Sequence, residues 1–511
     1  MMKPVSRLSL TGEHLTLESF EEVVRHYRSV DLSANAKVQM NRCRQMVTDL
    51  VAQGRTIYGI TTGFGKFSDT VINQQQTAEL QRNLLRSHAC GVGGPLPEEV
   101  VRGMMLLRAN ALAKGYSGIR PSVVDTLVQM LNHRIHPVVP SQGSLGASGD
   151  LAPLAHMSLP LIGEGEVIVN GQRMQARTAL DQAGIAPVAL EAKEGLALIN
   201  GTQMMASLLS LAVIRGKNLL LAADTIAAMT VEALGGIPHA FHPLLHQVRG
   251  HRGQITTAAN LRHLLADSRR VTQPGEKRVQ DAYSLRCIPQ VHGASKDTWH
   301  YACQVTETEL NAATDNPLLF VEGDEVISGG NFHGQPLALA ADFLAIAMAE
   351  IGNISERRTE RLVNPQLSGL PPFLTRNGGL HSGYMILQYT AASLVSENKT
   401  LCHPASVDSI PSSANQEDHV SMGSIATRKL HQVLDNLTHV LAIEYVCAAQ
   451  ALESGDKKMG KGTSPAYELL RRQLPPLTDD REGHRDIEQA TELIQSGKLV
   501  QAVMKETTIS V

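Results

Sequence analysis

The 511-residue chain has only six cysteines, and aromatic residues make up 4% of it. The cysteines, at positions 43, 90, 287, 303, 402 and 447, lack the spacing of a metal site or a disulfide framework. We therefore expect reduced, mostly buried thiols in a cytoplasmic protein. The twenty histidines also lack ligand spacing, and the sequence contains no HExxH, Walker or CxxC motif, so we expect no metal.

A strong charge of one sign is missing as well. The formal net charge is −3, and no basic stripe carries interleaved aromatic residues, which disfavours nucleic-acid partners. The first 15 residues lack an apolar core of signal-peptide length. Residues 203–233 and 336–351 are apolar enough to suggest membrane spans, but charged residues interrupt both. We expect buried helices of a large bundle and no membrane association.

Helical periodicity covers most of the sequence, with glycine and proline clusters between the periodic segments. Thr16 is a typical cap residue for the first helix. Two hairpins are predicted, at 163–174, where Asn170-Gly171 forms the turn, and at 318–330. After about residue 190 the pattern is nearly all helical, with long segments at 202–233, 298–312, 334–361, 383–400 and 424–453.

These segments predict a mainly α fold, a long-helix bundle with a smaller mixed N-terminal domain. The N-terminal domain spans residues 1–195, and residues 196–511 form the central bundle with a C-terminal helical extension. Long helices present many apolar faces, so we expect some of that surface to be buried between subunits. An active site shared between subunits would follow from such an assembly.

The tripeptide Ala147-Ser148-Gly149 lies in a glycine-rich run, residues 143–157, with the sequence GSLGASGDLAPLAHM. Three small residues in this order can cyclise when the Gly149 nitrogen attacks the Ala147 carbonyl and water is lost. Ser148 then loses a second water and leaves an exocyclic methylene, which gives a methylidene-imidazolone (MIO). Gly149 permits the tight backbone approach, and Ala147 is small enough for ring closure. An ordinary turn is the alternative for such a tripeptide taken alone.

Six further segments accompany the tripeptide, and their joint occurrence in this order is highly specific. They are TIYGITTGFG (56–65), QRNLLRSHACGVG (81–93), EGLALINGTQ (194–203), VQDAYSLRCIPQVHGAS (279–295), SGGNFHGQP (328–336) and SSANQEDHVSMG (412–423). Together they resemble the MIO-dependent aromatic amino acid ammonia-lyases, and among these the histidine-specific branch, from about residue 10 to 500. The resemblance implies a helical bundle of the ammonia-lyase and fumarase-like type, and a homotetramer with active sites built from three subunits.

The resemblance also implies roles for individual residues in ammonia elimination. Tyr58 matches the base that faces the β-carbon, and Tyr283 matches the second catalytic tyrosine. Asn200 matches the asparagine that polarises the prosthetic ring and helps to seat the substrate carboxylate. Asp150 is expected to assist ring closure. The catalytic set is therefore Tyr58, Ala147, Ser148, Gly149, Asn200, Tyr283 and Glu417, with the self-formed MIO and no external cofactor.

Three further residues are expected to bind the substrate beside the ring. Arg286 matches the arginine that grips the carboxylate, for which a planar fork is suited. Helical spacing would place Gln280 and Tyr283 on one face, with Gln280 hydrogen-bonding near the ring or the carboxylate. Phe332 matches the aromatic neighbour that keeps water from the methylene.

Two positions indicate the substrate. His88 and Glu417 match the histidine-specific pattern, and a buried imidazole ring needs polar partners for its nitrogens. The resemblance thus implies conversion of L-histidine to trans-urocanate, the first step of histidine degradation. Tyrosine ammonia-lyase and aromatic 2,3-aminomutase activities remain alternatives, because His88 could also hydrogen-bond a phenol and lid mobility separates lyases from mutases.

A long-helix bundle is also compatible with proteins of different function. A helical scaffold without chemistry would have an unmodified chain mass, whereas the ring implies a loss of about 36 Da. The fumarase and aspartase group is disfavoured because its signature loop is missing. Gln335 replaces an acidic residue of other histidine-specific members. Met385 is expected to be ordinary core rather than a pocket wall, and the place of Tyr389 is open.

Overall fold

Helices dominate the structure, and the mainly α prediction is confirmed. The computed structural model describes residues 6–57, 59–60, 62 and 76–511. Within those residues lie twenty α-helices: α1 Leu17–Val24, α2 Ala34–Ala52, α3 Thr77–His88, α4 Glu98–Ala113, α5 Pro121–Asn132, α6 Leu151–Ser158, α7 Ala176–Ala183, α8 Glu194–Ile199, α9 Gln203–Ala233, α10 Pro243–Gln247, α11 Arg252–Leu264, α12 Tyr283–Arg286, α13 Ile288–Leu310, α14 Gln335–Val363, α15 Pro365–Ser368, α16 Met385–Leu401, α17 Gly423–Leu452, α18 Thr463–Arg471, α19 Gly483–Gln495 and α20 Lys498–Met504.

Short strands form four small sheets. Their bounds in the described residues are β1 Leu8–Leu10, β2 Val30–Leu32, β3 Val92–Pro95, β4 His136–Pro137, β5 Pro140–Gln142, β6 Glu166–Val169, β7 Gln172–Gln175, β8 Leu318–Phe320 and β9 Glu325–Ile327. Strands β1 and β2 pair in parallel, and β3 pairs with β5 in antiparallel fashion. Strands β4, β6 and β7 form an antiparallel sheet, and β8 pairs with β9 as the second predicted hairpin.

The chain forms two compact units, each made of three segments. Unit 1 comprises residues 1–211, 303–341 and 404–428, and it contains all nine strands. Unit 2 comprises residues 212–302, 342–403 and 429–511 and consists of helices and connecting loops in the described chain. The division into a domain at 1–195 and another at 196–511 stays a prediction.

Local sequence signals explain where several elements begin and turn. The Thr16 hydroxyl accepts a hydrogen bond from the Ser19 amide at 3.2 Å, so it caps α1 as predicted. Asn170 and Gly171 have φ values of 49° and 79°, the paired positive values that a two-residue hairpin turn between β6 and β7 requires. Ser33 caps α2 in the same way as Thr16 caps α1, by accepting from the Ala36 amide at 3.0 Å.

Each unit is built around a helix that is buried almost throughout. In unit 1 this is α4, whose residues from Val100 to Ala113 are all buried, including Arg102 and Arg108. In unit 2 it is the part of α17 after Lys429, whose apolar side chains are buried while Gln432 and Asp435 are exposed. A helix that is buried on most of its faces has neighbours on most of its faces, so these two helices lie in the cores of their units.

Helices α9 and α14 are long and apolar enough to cross a membrane, by length and composition. Their most apolar windows have mean hydropathies of 1.4 and 1.6, and 78% and 67% of those windows are buried inside the protein. This burial is what core helices of a large bundle would have.

Three expectations are corrected by the structure. Only Cys43 and Cys447 are fully buried, while Cys90 is exposed, so the thiols are not mostly buried. Helix α13 begins at Ile288 rather than near 298, because Pro289 lies in its first turn, where a proline is tolerated. Gln280 and Tyr283 do not share a helical face, because α12 begins at Tyr283 and Gln280 precedes it.

Candidate active site

The Ala147-Ser148-Gly149 tripeptide forms a turn of unit 1 just before α6. Ala147 and Gly149 are buried, and Ser148 is half-buried. Gly149 has a φ of 73°, in the left-handed region that favours glycine. A Cβ atom at Gly149 would also collide with the carbonyl group of Gly201. The turn therefore requires glycine at this position for two independent reasons.

Asp150 connects this turn to the beginning of α9. Its backbone N–H donates to the Gly201 carbonyl at 2.7 Å, and its carboxylate accepts from the Met205 amide at 2.9 Å and the Ser144 hydroxyl at 3.2 Å. Burial raises the pKa of Asp150 to about 7, although these hydrogen bonds oppose the increase. A fully buried carboxyl group next to the tripeptide can thus hold or release a proton near neutral pH.

Asn200 lies at the C-terminal end of α8, in the bend between α8 and α9. Its backbone N–H completes the helix by donating to Leu196, and the next residue, Gly201, forms a β-bridge with Gly149. Asn200 is 3% exposed, and its side-chain oxygen has no hydrogen-bond partner among the described residues. A buried acceptor without a donor is costly unless something else satisfies it, so this oxygen marks a binding position.

A cavity of about 230 Å³ opens beside the tripeptide in unit 1. Its lining combines the glycine-rich run with polar side chains from α3 and from the segment after residue 411. The lining residues are Ser87, His88, Cys90, Gly143, Ser144, Leu145, Gly146, Ala147, Gly149, Leu151, Ala152, Ser412 and Glu417. An apolar cavity with a few convergent polar groups is the usual form of a small-molecule site.

Glu417 is held at this cavity by two hydroxyl groups. One carboxylate oxygen accepts from the Ser148 hydroxyl at 3.0 Å, and the other accepts from the Ser412 hydroxyl at 3.1 Å. Ser412 and Glu417 also pair through their backbones across a tight loop in which Ser413, Ala414 and Asn415 all have positive φ. The strained loop keeps the carboxylate next to the tripeptide serine.

His88 ends α3 at the same cavity. Its Nδ1 lies 2.9 Å from the Leu84 carbonyl, which can only accept, so the ring hydrogen is assigned to Nδ1 and Nε2 is an acceptor. Burial lowers the pKa of His88, against the opposing effects of that carbonyl and of Glu417. His88 is therefore neutral at pH 7, and the cavity contains two acceptors, the His88 imidazole and the Glu417 carboxylate.

Phe332 lies in the loop of unit 1 that leads into α14, and it is half-buried. The loop is supported by the neighbouring His333, whose ring stacks on His419 at 5.8 Å. Gln335, the first residue of α14, donates to the Ser406 carbonyl at 3.2 Å, and its side-chain oxygen is buried without a partner among the described residues. Gln335 thus joins the Phe332 loop to the segment that contains Glu417.

Gln280, Tyr283 and Arg286 belong to unit 2. Gln280 is exposed, and Tyr283 is 70% exposed, which is unusual for a large aromatic side chain. The Arg286 guanidinium stacks over the Tyr283 ring at 4.4 Å, and its Nε donates to the Asp281 carbonyl at 2.9 Å. The remaining Arg286 donors are suited to an anionic group such as a carboxylate.

Three further positions singled out in the sequence lie away from this cavity or outside the described chain. Tyr58 lies outside the described residues. Met385 and Tyr389, at the start of α16, line a separate cavity of about 240 Å³ in unit 2 together with Gln388 and Glu360. Met385 is therefore a cavity wall rather than ordinary core.

Sequence reasoning missed two supporting residues. Ser412, which binds Glu417, lies in the segment 412–423 but carries no chemical signal of its own. Arg108 is a charged residue within the apolar run MMLLRANALA of α4, and such an interruption in a core helix was a usable signal. It is fully buried and lies next to Gly201, where a Cβ atom would collide with it.

Comparisons with known proteins show the family to which this chain is related. The sequence model of the family described as "Aromatic amino acid lyase" matches residues 15–472. A curated histidine ammonia-lyase of Symbiobacterium thermophilum is 60% identical over 493 residues, which cover 96% of this chain and 97% of that protein. The histidine ammonia-lyase of Alkaliphilus oremlandii is 57% identical, with 98% and 99% of the two chains covered.

Solved structures of aromatic amino acid lyases and related aminomutases are also similar to this chain over nearly its whole length. The crystal structure of histidine ammonia-lyase from Trypanosoma cruzi is similar with a TM-score of 0.92 at 42% identity, covering 98% of this chain and 96% of that one. Tyrosine aminomutase from Streptomyces globisporus is similar with a TM-score of 0.95 at 40% identity, covering 99% of this chain and all of the other. From the tripeptide turn, the fold and these full-length matches, the chain belongs to the aromatic amino acid lyase family.

Proposed function

We propose that this protein, a carbon–nitrogen lyase, eliminates ammonia from L-histidine to give trans-urocanate. The reaction breaks the Cα–N bond and one Cβ–H bond and forms a Cα=Cβ bond. A base must therefore take the β-proton while ammonia leaves with the electrons of its bond to carbon. The observation that carries the assignment is the cavity beside Ser148, where His88 and Glu417 both offer acceptors. The high identity to histidine ammonia-lyases over nearly the whole chain supports it.

We propose that the tripeptide condenses to MIO, without an external cofactor or a metal. The residues present fit such a ring, since Gly149 occupies a position closed to any side chain and pairs with Gly201, next to the buried Asn200 amide. Loss of water between the Gly149 nitrogen and the Ala147 carbonyl closes the ring, and loss of the Ser148 hydroxyl as a second water leaves the methylene. Once formed, the group supplies an electrophile to which an amino acid's amine can add, making nitrogen a better leaving group.

The two residues next to the tripeptide have separate tasks in this proposal. Asp150, with its pKa raised by burial, exchanges a proton during ring closure. Asn200 donates a hydrogen bond from its side-chain amide to the ring and helps to seat the substrate carboxylate. Both depend on the hydrogen bond between Asp150 and Gly201, which keeps the two turns in contact.

The substrate's ends are assigned to different parts of the chain. Arg286 binds the carboxylate with its remaining guanidinium donors, and Gln280 hydrogen-bonds nearby. Tyr58 and Tyr283 move protons at the reacting carbons, with Tyr58 as the base that takes the β-proton. Phe332 excludes water from the electrophile.

The imidazole ring is assigned to His88 and Glu417. A histidine side chain presents one N–H when neutral and two when protonated, and the cavity offers an imidazole nitrogen and a carboxylate to receive them. Glu417 favours the charged form of a bound imidazole by its opposite charge. A phenol has a single O–H and does not become positively charged, so it would gain less than an imidazole from the Glu417 carboxylate.

The second candidate is a tyrosine ammonia-lyase or an aromatic 2,3-aminomutase. This candidate is supported by the similarity to a tyrosine aminomutase, at 40% identity over almost the whole chain. A mutase retains ammonia and adds it back at the β-carbon, so its product is a β-amino acid rather than an unsaturated acid. The structural difference between the two outcomes is the access of water and ammonia to the site during turnover.

We propose that the protein acts as a cytoplasmic homotetramer with active sites shared between subunits, without nucleic-acid or membrane partners. The exposed Tyr283 ring supports an assembly that covers it, because large apolar rings seldom face solvent over most of their surface. Phe343 and Ile346 on α14 and Ile386 and Tyr389 on α16 are also more than one-third exposed. Apolar residues repeated on long helices suit helix-to-helix contacts between subunits.

The deciding experiment is an assay of histidine, tyrosine and phenylalanine in parallel, with urocanate absorbance, free ammonia and β-amino acids all measured. Equal formation of urocanate and ammonia from histidine, with slow turnover of the other two, is the expected result. A β-amino acid product would replace the lyase assignment by the mutase. Intact mass on the same preparation, expected to lie about 36 Da below the encoded chain, tests the ring separately.

A further inference from the structure

Arg108 projects from the buried helix α4 towards the bend that carries Asn200. Its Nε and Nη2 atoms both donate to the Ala197 carbonyl, with Nε at 2.9 Å. Its Nη1 donates to the Gln203 side chain at 3.1 Å and to the Thr314 carbonyl at 2.9 Å. One guanidinium group therefore binds the chain on both sides of residues 198–202.

The Ala197 carbonyl lies near the C-terminal end of α8, where it needs a donor from outside the helix. Helix α8 has six residues, and the last carbonyls of any helix lack an intrahelical donor. Arg108 supplies that donor at the end of α8, while Gln203, the first residue of α9, is fixed by Arg108 and by its own bond to the Thr314 hydroxyl at 2.7 Å. Both ends of the bend between the two helices are thus anchored by Arg108.

The anchored bend contacts the tripeptide turn directly. The Gly201 carbonyl accepts from Asp150 at 2.7 Å, and Gly201 forms a β-bridge with Gly149. Gly201 has no Cβ atom, and one at this position would collide with Arg108 and Gln203, so only glycine lets the bend pack this closely against the guanidinium. A shift of the bend would therefore move Asn200 and Asp150 together relative to residues 147–149.

The energetics indicate that Arg108 is not needed for packing alone. Its side chain is fully buried, its four hydrogen bonds go to uncharged oxygens, and burial lowers its pKa to about 10. An apolar residue of similar volume would avoid the cost of burying a charge. A planar fork of donors, by contrast, can bridge two chain segments in one fixed geometry.

We infer that Arg108 is a positioning residue, which sets the Asn200 bend against the tripeptide turn so that ring closure and turnover both proceed. The inference rests on the proposed function, because it assigns a task in forming and using the electrophile. Arg108 does not line the substrate cavity, so it acts on the site through the bend that it binds.

The chain offers a matched control on the same helix. Arg102 is also buried, its pKa is also lowered by burial to about 10, and it also makes four hydrogen bonds to uncharged acceptors. Its partners are the carbonyls of Val23, Val24 and Leu131 and the ring of His136, none of which is a site residue. Arg102→Lys and Arg108→Lys therefore disturb comparable buried contacts, but only the second affects the bend.

The experiment compares wild type, Arg108→Lys, Arg102→Lys and Gln203→Met in the full-length enzyme. For each we measure the thermal unfolding midpoint, the intact mass and kcat and KM for histidine. Arg108→Lys is expected to leave a fraction of chains at the unreacted mass, about 36 Da higher, and to lower kcat by about 10²-fold in the reacted fraction. Gln203→Met, which removes one contact of the fork, should show a smaller change in the same direction.

Arg102→Lys is expected to lower the unfolding midpoint at least as much as Arg108→Lys does. Its intact mass and its kcat/KM for histidine should nevertheless equal those of the wild type. Arg108→Lys with a fully reacted mass and unchanged kcat would overturn the inference, and so would an equal loss in Arg102→Lys. If Arg108→Lys does not fold, Gln203→Met decides by the same readouts. An unreacted mass in active wild-type enzyme would instead overturn the proposed function, which the two lysine variants do not test.

Discussion

At the scale of single residues, burial rather than identity gives the site its chemistry. Asp150 is an ordinary aspartate in the sequence, yet its complete burial raises its pKa to about 7, beside the tripeptide. His88 is an ordinary histidine, yet a single carbonyl contact makes Nε2 an acceptor and burial keeps the ring neutral. These states follow from what surrounds each side chain and allow a proton to move near neutral pH.

Ser148→Ala tests the origin of the electrophile. The variant keeps a small side chain at a half-buried turn, so it should fold, but it has no hydroxyl to lose as the second water. We expect loss of nearly all turnover and a mass without the second dehydration. Ser496→Ala, at the exposed end of α19, is the control and should behave as wild type. Substantial turnover by Ser148→Ala would contradict the internal electrophile.

Glu417→Gln tests the substrate. The amide keeps the shape of the side chain but loses the charge that favours a bound imidazolium, so kcat/KM should fall more for histidine than for tyrosine. Asp418→Asn, an exposed acid next in the chain, should leave the ratio of the two substrates unchanged. A larger loss with tyrosine than with histidine would argue for the second candidate function.

Arg286→Lys tests the carboxylate contact. A lysine cannot reproduce the planar fork, and it would also lose the stacking on Tyr283. We expect kcat/KM to fall by a factor of about ten to a few hundred, the scale of a lost bidentate ionic contact. Arg269→Lys, at an exposed position of unit 2, is the control. An unchanged kcat/KM in Arg286→Lys would remove Arg286 from this role.

At the scale of elements, buried ion pairs join the long helices of unit 2. Asp224 on α9 accepts from Lys296 on α13 at 2.6 Å, and the His292 Nδ1–H donates to it at 2.8 Å. Burial alone would raise the pKa of Asp224, but these partners outweigh it and bring the pKa down to about 2. Lys296 also donates to the Ser510 carbonyl, so the cluster fixes the C-terminal residues to the bundle.

Lys296→Met tests the energetic weight of this cluster. The variant leaves Asp224 buried without its cation, so we expect a loss of about 3–5 kcal/mol in the free energy of unfolding. The double variant Asp224→Asn with Lys296→Met should recover part of the loss, because no unpaired charge then remains. Urea unfolding at neutral pH measures the free energy of unfolding of the single and the double variant. A single variant as stable as wild type would mean that the pair contributes nothing.

The same pair gives a direction for acid unfolding. A carboxyl group whose folded pKa lies below its unfolded value stabilises the protein fully above the unfolded pKa, and the contribution is lost as the pH falls towards the folded pKa. For Asp224 this window runs from its ordinary pKa down to about 2. The contribution of the pair is therefore fully present at neutral pH, where the unfolding measurement above is made.

At the scale of the whole molecule, the proposed site residues are divided between two units. Unit 1 contains the tripeptide, Asn200, His88, Phe332 and Glu417, and unit 2 contains Gln280, Tyr283 and Arg286. The proposal of shared active sites assigns the two sets at one site to different subunits. This assignment can be tested without any knowledge of the assembly's geometry.

Co-expression of Ser148→Ala chains with Arg286→Ala chains provides the test. If each site takes Ser148 from one subunit and Arg286 from another, random mixing should restore about a quarter of the sites. Activity should then reappear in the mixture, while each variant alone is nearly inactive. A mixture as inactive as its components, with mixed tetramers verified by mass, would place both residues of a site in one chain.

Prediction from the sequence was most successful where a local pattern determines the structure. The Thr16 cap, the Asn170-Gly171 turn and most of the long apolar helices follow from short-range backbone preferences, so their positions agree closely with the structure. The start of α13 was missed because a proline in a first turn has the same local appearance as a helix break. The family was predictable because several unusual segments occur in one order.

The sequence by itself determined the chemistry that is available: a tripeptide able to cyclise, a carboxylate and an imidazole in matching motifs, and helices long enough to form a bundle. Tertiary structure alone decided that Glu417 contacts Ser148 across 269 positions of the chain, and that Arg108 binds both sides of the Asn200 bend. Contacts between distant positions depend on packing, which no local preference encodes. The proton on Asp150 near neutral pH is likewise a property of burial, which only the folded chain creates.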